Sequence, residues 1–98
     1  MLRHIVLLTW IDGTTLDDVG RASQALSTLP EQIDSIRRYT FGPDLGLAAG
    51  RWDYAIVADF DDVDGWATYD THPAHEQVLA DVLVPLIAQR ASVQFEPF

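Results

Sequence analysis

The segment Leu2–Trp10 constrains this chain more than any other. It reads Leu-Arg-His-Ile-Val-Leu-Leu-Thr-Trp and is closed by Asp12-Gly13. It is aliphatic and β-branched, and too short for a helix of useful length, so it is read as a strand. Alternate residues of a strand point to opposite faces, which puts His4, Val6, Leu8 and Trp10 on one side and Ile5 and Leu7 on the other. Both sides are apolar, and a sheet built on this strand needs cover on two faces. The chain has 98 residues, enough for one domain spanning 1–98.

The following elements alternate in kind. Thr15-Leu16-Asp17-Asp18 has capping-box spacing, with Thr15 as the N-cap and Asp18 reaching back. Leu16, Val19, Ser23, Leu26 and Leu29 then recur at helical spacing until Pro30 ends the run. Gly20 inside this helix costs about 1 kcal/mol of propensity, which the apolar face must outweigh. Residues 33–41 lack helical spacing and predict a second strand. Gly42-Pro43-Asp44 and the stretch from Gly46 to Gly50 predict a loop, and residues 52–60 a third strand. Asp61, Asp62 and Asp64 suit the positive end of a second helical region. That region breaks at Asp70-Thr71-His72-Pro73, where a new helix is expected from Pro73 with His72 as its cap. Val78, Leu79, Val82, Leu83 and Leu86 give it one apolar face, Pro85 loosens its last turns, and residues 91–97 form a fourth strand.

The order βαββαβ predicts an α+β, ferredoxin-like fold: a four-stranded antiparallel sheet with the helices on one face. Those helices cover only one side of the two-sided first strand. A bare apolar sheet face is a contact site, and packing against a second copy is the simplest cover. The expected assembly is a homodimer, a closed dimeric α/β barrel.

Charge excludes several functions. Fifteen acidic residues against six basic ones leave a net charge of −9, with only Arg37-Arg38 adjacent. Phosphate binding needs clustered cations, so neither nucleic acid nor an anionic membrane surface is an expected partner. No run approaches the roughly 18 apolar residues that cross a bilayer. The first strand bears a faint likeness to a secretory leader, but its apolar run is short and Asp12-Gly13 stands where a small-residue cleavage site would lie. With no cysteine in the chain, neither a disulfide framework nor a thiolate metal site is possible, and a cytoplasmic location is expected. His72, His75 and Glu76, with Asp70 and Asp12, offer nitrogen and oxygen ligands, but Pro73 separates the histidines and no second ligand pair follows, so no metal is expected. The acids at 59, 61, 62 and 64 lack the glycine and terminal glutamate of a calcium loop and are read as capping and solvation.

Residues 59–75 read Asp-Phe-Asp-Asp-Val-Asp-Gly-Trp-Ala-Thr-Tyr-Asp-Thr-His-Pro-Ala-His. This stretch resembles the Dabb family, the stress-responsive α/β-barrel domains, whose signature is an acidic turn followed by Tyr-x-x-His-Pro-x-His. His4 before an aliphatic strand, Leu29-Pro30 and Gly42 match the family at further points. The resemblance covers essentially the whole chain and implies a dimeric barrel. It implies activity only loosely: most members have no assigned reaction, some accumulate in stressed plants, and a few are cofactor-independent cyclases that close a poly-β-keto chain into a ring. In those cyclases the Tyr and second His of the signature serve the chemistry, with the early His nearby. Carried over, this points to Tyr69, His75 and His4 as catalytic candidates and to no cofactor.

Spacing adds to that reading. His75 precedes Val78, Leu79 and Val82 by three, four and seven residues, which places it on the helix's apolar face, toward the sheet. His4 shares its strand face with Val6 and Leu8. A neutral His is suited to removing a proton from carbon, and a Tyr hydroxyl to steadying an enolate oxygen. The helix dipole at the third helical position is expected to hold His75 neutral. Two functions are set against each other: acid–base chemistry on a keto substrate, and a non-enzymatic dimer holding a small apolar molecule. Dimeric-barrel monooxygenases share the architecture, but the Tyr-x-x-His-Pro-x-His string favours the Dabb side.

Overall fold

The computed structural model describes residues 1–98. Strand β1 (Leu2–Trp10) leads to α1 (Leu16–Ser27), a short α2 (Leu29–Gln32), β2 (Arg38–Pro43), β3 (Tyr54–Phe60), α3 (Val63–Asp70), α4 (Pro73–Val78) and β4 (Ile87–Phe95). Between α4 and β4 the chain passes through a π-type turn at Leu79–Leu83 and a 3-10 turn at Val84–Leu86. The sheet is antiparallel in the order β2-β3-β1-β4. This is the predicted ferredoxin-like arrangement, with β1 in the middle.

The capping signals hold at atomic detail. Thr15 Oγ1 accepts from the Asp18 N–H at 3.1 Å, and the Asp18 carboxylate accepts from the Thr15 N–H at 2.9 Å. Asp62 caps α3 by accepting from the Gly65 N–H at 2.9 Å. Each such cap satisfies a backbone donor that the helix leaves free and contributes about 1 kcal/mol. Under the helices, Val6, Leu8, Leu26, Leu29, Ile56 and Phe60 form the centre of a buried apolar core.

Several boundaries differ from expectation. Pro30 does not end a helix; it sits within the first two positions of α2, where its missing N–H costs nothing. Ile33, expected in the second strand, is instead buried in the turn that follows α2, so β2 begins at Arg38 rather than at 33. β3 begins at Tyr54 rather than 52, although the Asp53 N–H still donates to the Leu8 carbonyl at 2.9 Å. β4 begins at Ile87 rather than 91. Pro85 does loosen the preceding turns, and the chain enters the sheet immediately after them, pairing as far as Trp10–Ile87 past a bulge. Asp59 is not a capping residue. It is buried and accepts two bonds from Arg3, at 2.8 and 3.0 Å, in a pair that lies across neighbouring strands.

The face of the sheet away from the helices remains apolar. Ile5, Val57 and Val93 form one row across three strands, and Leu7, Ala55 and Ala91 the next. Val93 is 53% exposed and Phe95 42%. Where the β2–β3 loop overhangs this face, an open groove of about 430 Å³ is lined by Leu7, Pro43, Leu45, Arg51 and Trp52. β4 inverts the usual pattern: Ala91, Val93 and Phe95 point away from the helices, while Arg90, Ser92 and Gln94 share the helix side. No helix is long and apolar enough to cross a membrane.

Candidate functional site

A row of residues runs across the helix side of the sheet: Gln94 opposite His4, His4 opposite Ala58, Ala58 opposite Tyr39. Ala58 is fully buried and has only a methyl group, so the floor of the row is low at its centre. Above it comes α3, which brings Trp66 and Tyr69 to the sheet, three residues apart on one side of the helix. The ring of Tyr69 lies 5.9 Å from Tyr39, 6.3 Å from His4 and 5.2 Å from Phe60.

The chain break after α3 positions the second histidine. His72 caps α4 with its own ring, Nδ1 accepting from the Ala74 N–H at 3.1 Å, and Pro73 opens the helix. His75 falls on the third helical residue and stacks on Tyr69 with ring centres 4.1 Å apart. Its Nδ1 lies 3.0 Å from the Asp70 carbonyl oxygen, at the free end of α3. A carbonyl only accepts, so Nδ1 carries the proton and neutral His75 keeps its lone pair on Nε2. His4 is held in the opposite sense. Its Nδ1 accepts from the Gln94 side-chain amide at 2.6 Å, which leaves Nε2–H as a donor. The two imidazoles are therefore set up as one base and one donor.

His4, Tyr69 and His75 line one cavity of about 150 Å³, together with Leu26, Leu79 and Leu83 and with the charged Asp70 and Arg90. All three expected residues are brought together, each more than nine-tenths buried. Burial is the main force on their protonation. It depresses both histidines below the ordinary imidazole value, and Arg90 pushes each the same way. For His75 the Asp70 carbonyl opposes burial. The neutrality expected from the helix dipole thus comes chiefly from desolvation. Burial also raises the Tyr69 phenol, and the hydrogen bond it shares with Tyr39 opposes that rise. Tyr39 is raised as well, first by burial. The hydroxyls of the two tyrosines are 2.9 Å apart.

Tyr39, Gln94 and Arg90 were not among the expected site residues. The signal for two of them lies in β4, where Arg90, Ser92 and Gln94 alternate with Ala91, Val93 and Phe95. That pattern marks a strand whose polar side faces a wet opening. His72 is occupied as a cap, and no three His, Asp or Glu side chains gather as a metal site would require. The indole N–H of Trp66, beside His4 at 6.3 Å between ring centres, is buried and without a partner.

Comparison with known proteins bears on this geometry. The family model for the stress responsive A/B barrel domain matches residues 2–97. An uncharacterized protein of Streptomyces coelicolor is 32% identical over 82 residues, covering 82% of this chain and 84% of that protein. A crystal structure from Thermobifida fusca, described as a dimeric ferredoxin-like protein of unknown function, is 47% identical with a TM-score of 0.91, covering 98% of this chain and 90% of its own. The hydroxynitrile lyase of Passiflora edulis has the same fold, with a TM-score of 0.83 at 17% identity over 99% of this chain and 95% of its own. From its first strand to its last, this chain belongs to the stress-responsive A/B barrel domain family.

Proposed function

We propose that this protein is a cofactor-independent enzyme that performs acid–base chemistry on a small keto compound, of the aldol or Claisen ring-closing type found in polyketide cyclases. The observation that carries this reading is the pairing of opposite tautomers around one cavity: a free Nε2 lone pair on His75 and a free Nε2–H on His4, with the Tyr69 ring stacked on His75 and its centre 6.3 Å from that of His4.

In this scheme His75 Nε2 takes a proton from the carbon next to a carbonyl. Tyr69 O–H and His4 Nε2–H donate to the enolate oxygen as charge builds there. The enolate carbon attacks a second carbonyl of the same molecule, forming a carbon–carbon bond, and the resulting alkoxide takes back the proton held by His75. Asp70, which favours the charged form of His75, steadies the imidazolium between the two steps. The apolar walls exclude water, so these few donors act in a low dielectric. At about 150 Å³ the cavity is smaller than the roughly 300–1,000 Å³ of common ligand pockets, which favours a short keto chain. That the same fold carries a lyase in Passiflora edulis supports a small-molecule reading without specifying the reaction. The test is turnover of a short poly-β-keto acid by the wild type, His75→Ala and Tyr69→Phe. Activity that falls in both variants while the fold survives supports the scheme; equal rates in all three overturn it.

The working unit in this reading is a homodimer. The uncovered rows Ile5–Val57–Val93 and Leu7–Ala55–Ala91 form the surface a second copy would bury, and the Thermobifida fusca relative is described as dimeric. A second reading, a non-enzymatic dimer that holds a small apolar molecule, is favoured by one observation: the Tyr69 hydroxyl is already bonded to Tyr39. It predicts ligand binding with no turnover of any keto substrate.

A further inference from the structure

The cavity contains one cation, Arg90, and it has no assigned partner. Arg3 is paired with Asp59, Arg21 with Asp18 and Arg37 with Asp61, whereas Arg38, Arg51 and Arg90 make neither an ion pair nor a side-chain hydrogen bond, and of those three only Arg90 lines this cavity. Acids outnumber bases by more than two to one in this chain, yet no carboxylate is paired with the guanidinium at this cavity. Its direction follows from register. Arg90 stands opposite Leu8, whose side chain is buried under the helices, and directly opposed residues project to the same face of a sheet. It therefore lies on the helix side, four residues before Gln94, which holds His4. Being exposed on an edge strand, it sits where the cavity meets solvent. Leu26, Leu79 and Leu83 supply apolar walls to the same cavity. Asp70, the opposite charge in the lining, comes from the end of α3 and makes no bond to Arg90.

We infer that Arg90 is the anion-recognition residue of this cavity, and that the ligand is an amphipathic carboxylate whose charged end docks on Arg90 while its chain lies against the apolar walls. The inference rests on reading the cavity as a ligand site. It narrows the substrate to keto acids, as against neutral ketones. A guanidinium fork matches a carboxylate in shape, and such a bond at a partly dried opening discriminates strongly against a neutral isostere. It would also orient the chain, presenting the carbons beyond the carboxylate to His4, Tyr69 and His75.

The test compares octanoate with octanamide, which share a chain and differ in charge, by calorimetric titration of the wild-type protein, Arg90→Leu and Arg51→Leu. The wild type is expected to bind octanoate about tenfold more tightly than octanamide, the size of one charged hydrogen bond. Arg90→Leu should erase that preference with octanamide affinity unchanged. Arg51→Leu, altered in the open groove on the opposite face, should retain it. The inference is overturned if the wild type shows no preference, if Arg90→Leu weakens both ligands alike, or if the preference is lost with Arg51→Leu instead. If neither compound binds the wild type, the reading of the cavity as a ligand site fails too, and this inference with it.

Discussion

The hydroxyls of Tyr39 and Tyr69 lie 2.9 Å apart, and Tyr39 stands opposite the buried Ala58 on the helix side of the sheet. The hydrogen bond between them opposes the rise in the Tyr69 phenol caused by burial. Tyr39→Phe keeps the ring and removes that bond. The expected cost is about 1 kcal/mol, because one buried hydroxyl loses its partner while the packing stays. Urea unfolding of the two proteins measures it, and an unchanged midpoint would show that the pair contributes nothing to stability.

Acid should weaken the fold through the two buried imidazoles. Burial lowers both His4 and His75, so the unfolded chain binds protons more readily than the folded one. The sign follows directly: stability is full above the ordinary imidazole value of about 6.5 and falls as the pH drops below it, until the depressed folded values are passed. Thermal unfolding between pH 7.5 and 5 should show this decline, and His75→Gln should flatten it. An equal slope in wild type and variant would contradict the assignment.

The alkaline limb runs the other way. All three tyrosines, Tyr39, Tyr54 and Tyr69, are raised chiefly by burial, so the folded state holds phenol protons that the unfolded state releases near pH 10. Stability is lost as the pH rises past that point. Absorbance at 295 nm should therefore show tyrosinate only as the fold is lost, with no separate step at ordinary tyrosine values.

Much of this was legible in the sequence, and the exceptions share a cause. Helix caps are local, so Thr15 and His72 could be assigned from neighbouring residues, whereas the acids at 61, 62 and 64 could be read only as a group. The grouping of His4, Tyr69 and His75 came from the resemblance carried by the Tyr-x-x-His-Pro-x-His string, and helical spacing and strand alternation added to it for His75 and His4. Tyr39 and Gln94 escaped because their roles depend on which strand lies beside which. Gln94 meets His4 across 90 positions of sequence, through a register that no local pattern contains. Ile33 was misplaced for a similar reason: an apolar residue after a helix reads as a strand, but here it is buried in the turn itself.

Self-association can be tested at the centre of the outer face. Val57 lies between Ile5 and Thr40 in register, on the row completed by Val93. Val57→Asp puts a charge in the surface a second copy would dry, where an unpaired carboxylate costs several kcal/mol. Sedimentation at micromolar concentration should show a dimer for the wild type and a monomer for the variant. A monomeric wild type would remove the dimer from the account.

The central claim is that His75, held neutral and with its lone pair on Nε2, abstracts a proton from carbon. Exchange of the α-protons of a keto acid such as 4-oxooctanoate into deuterium oxide, followed by proton NMR, reads that step without requiring the natural product. The account predicts exchange accelerated by the wild type, lost in His75→Gln and reduced in Tyr69→Phe. Exchange no faster than in buffer, or equally fast with His75→Gln, would contradict it.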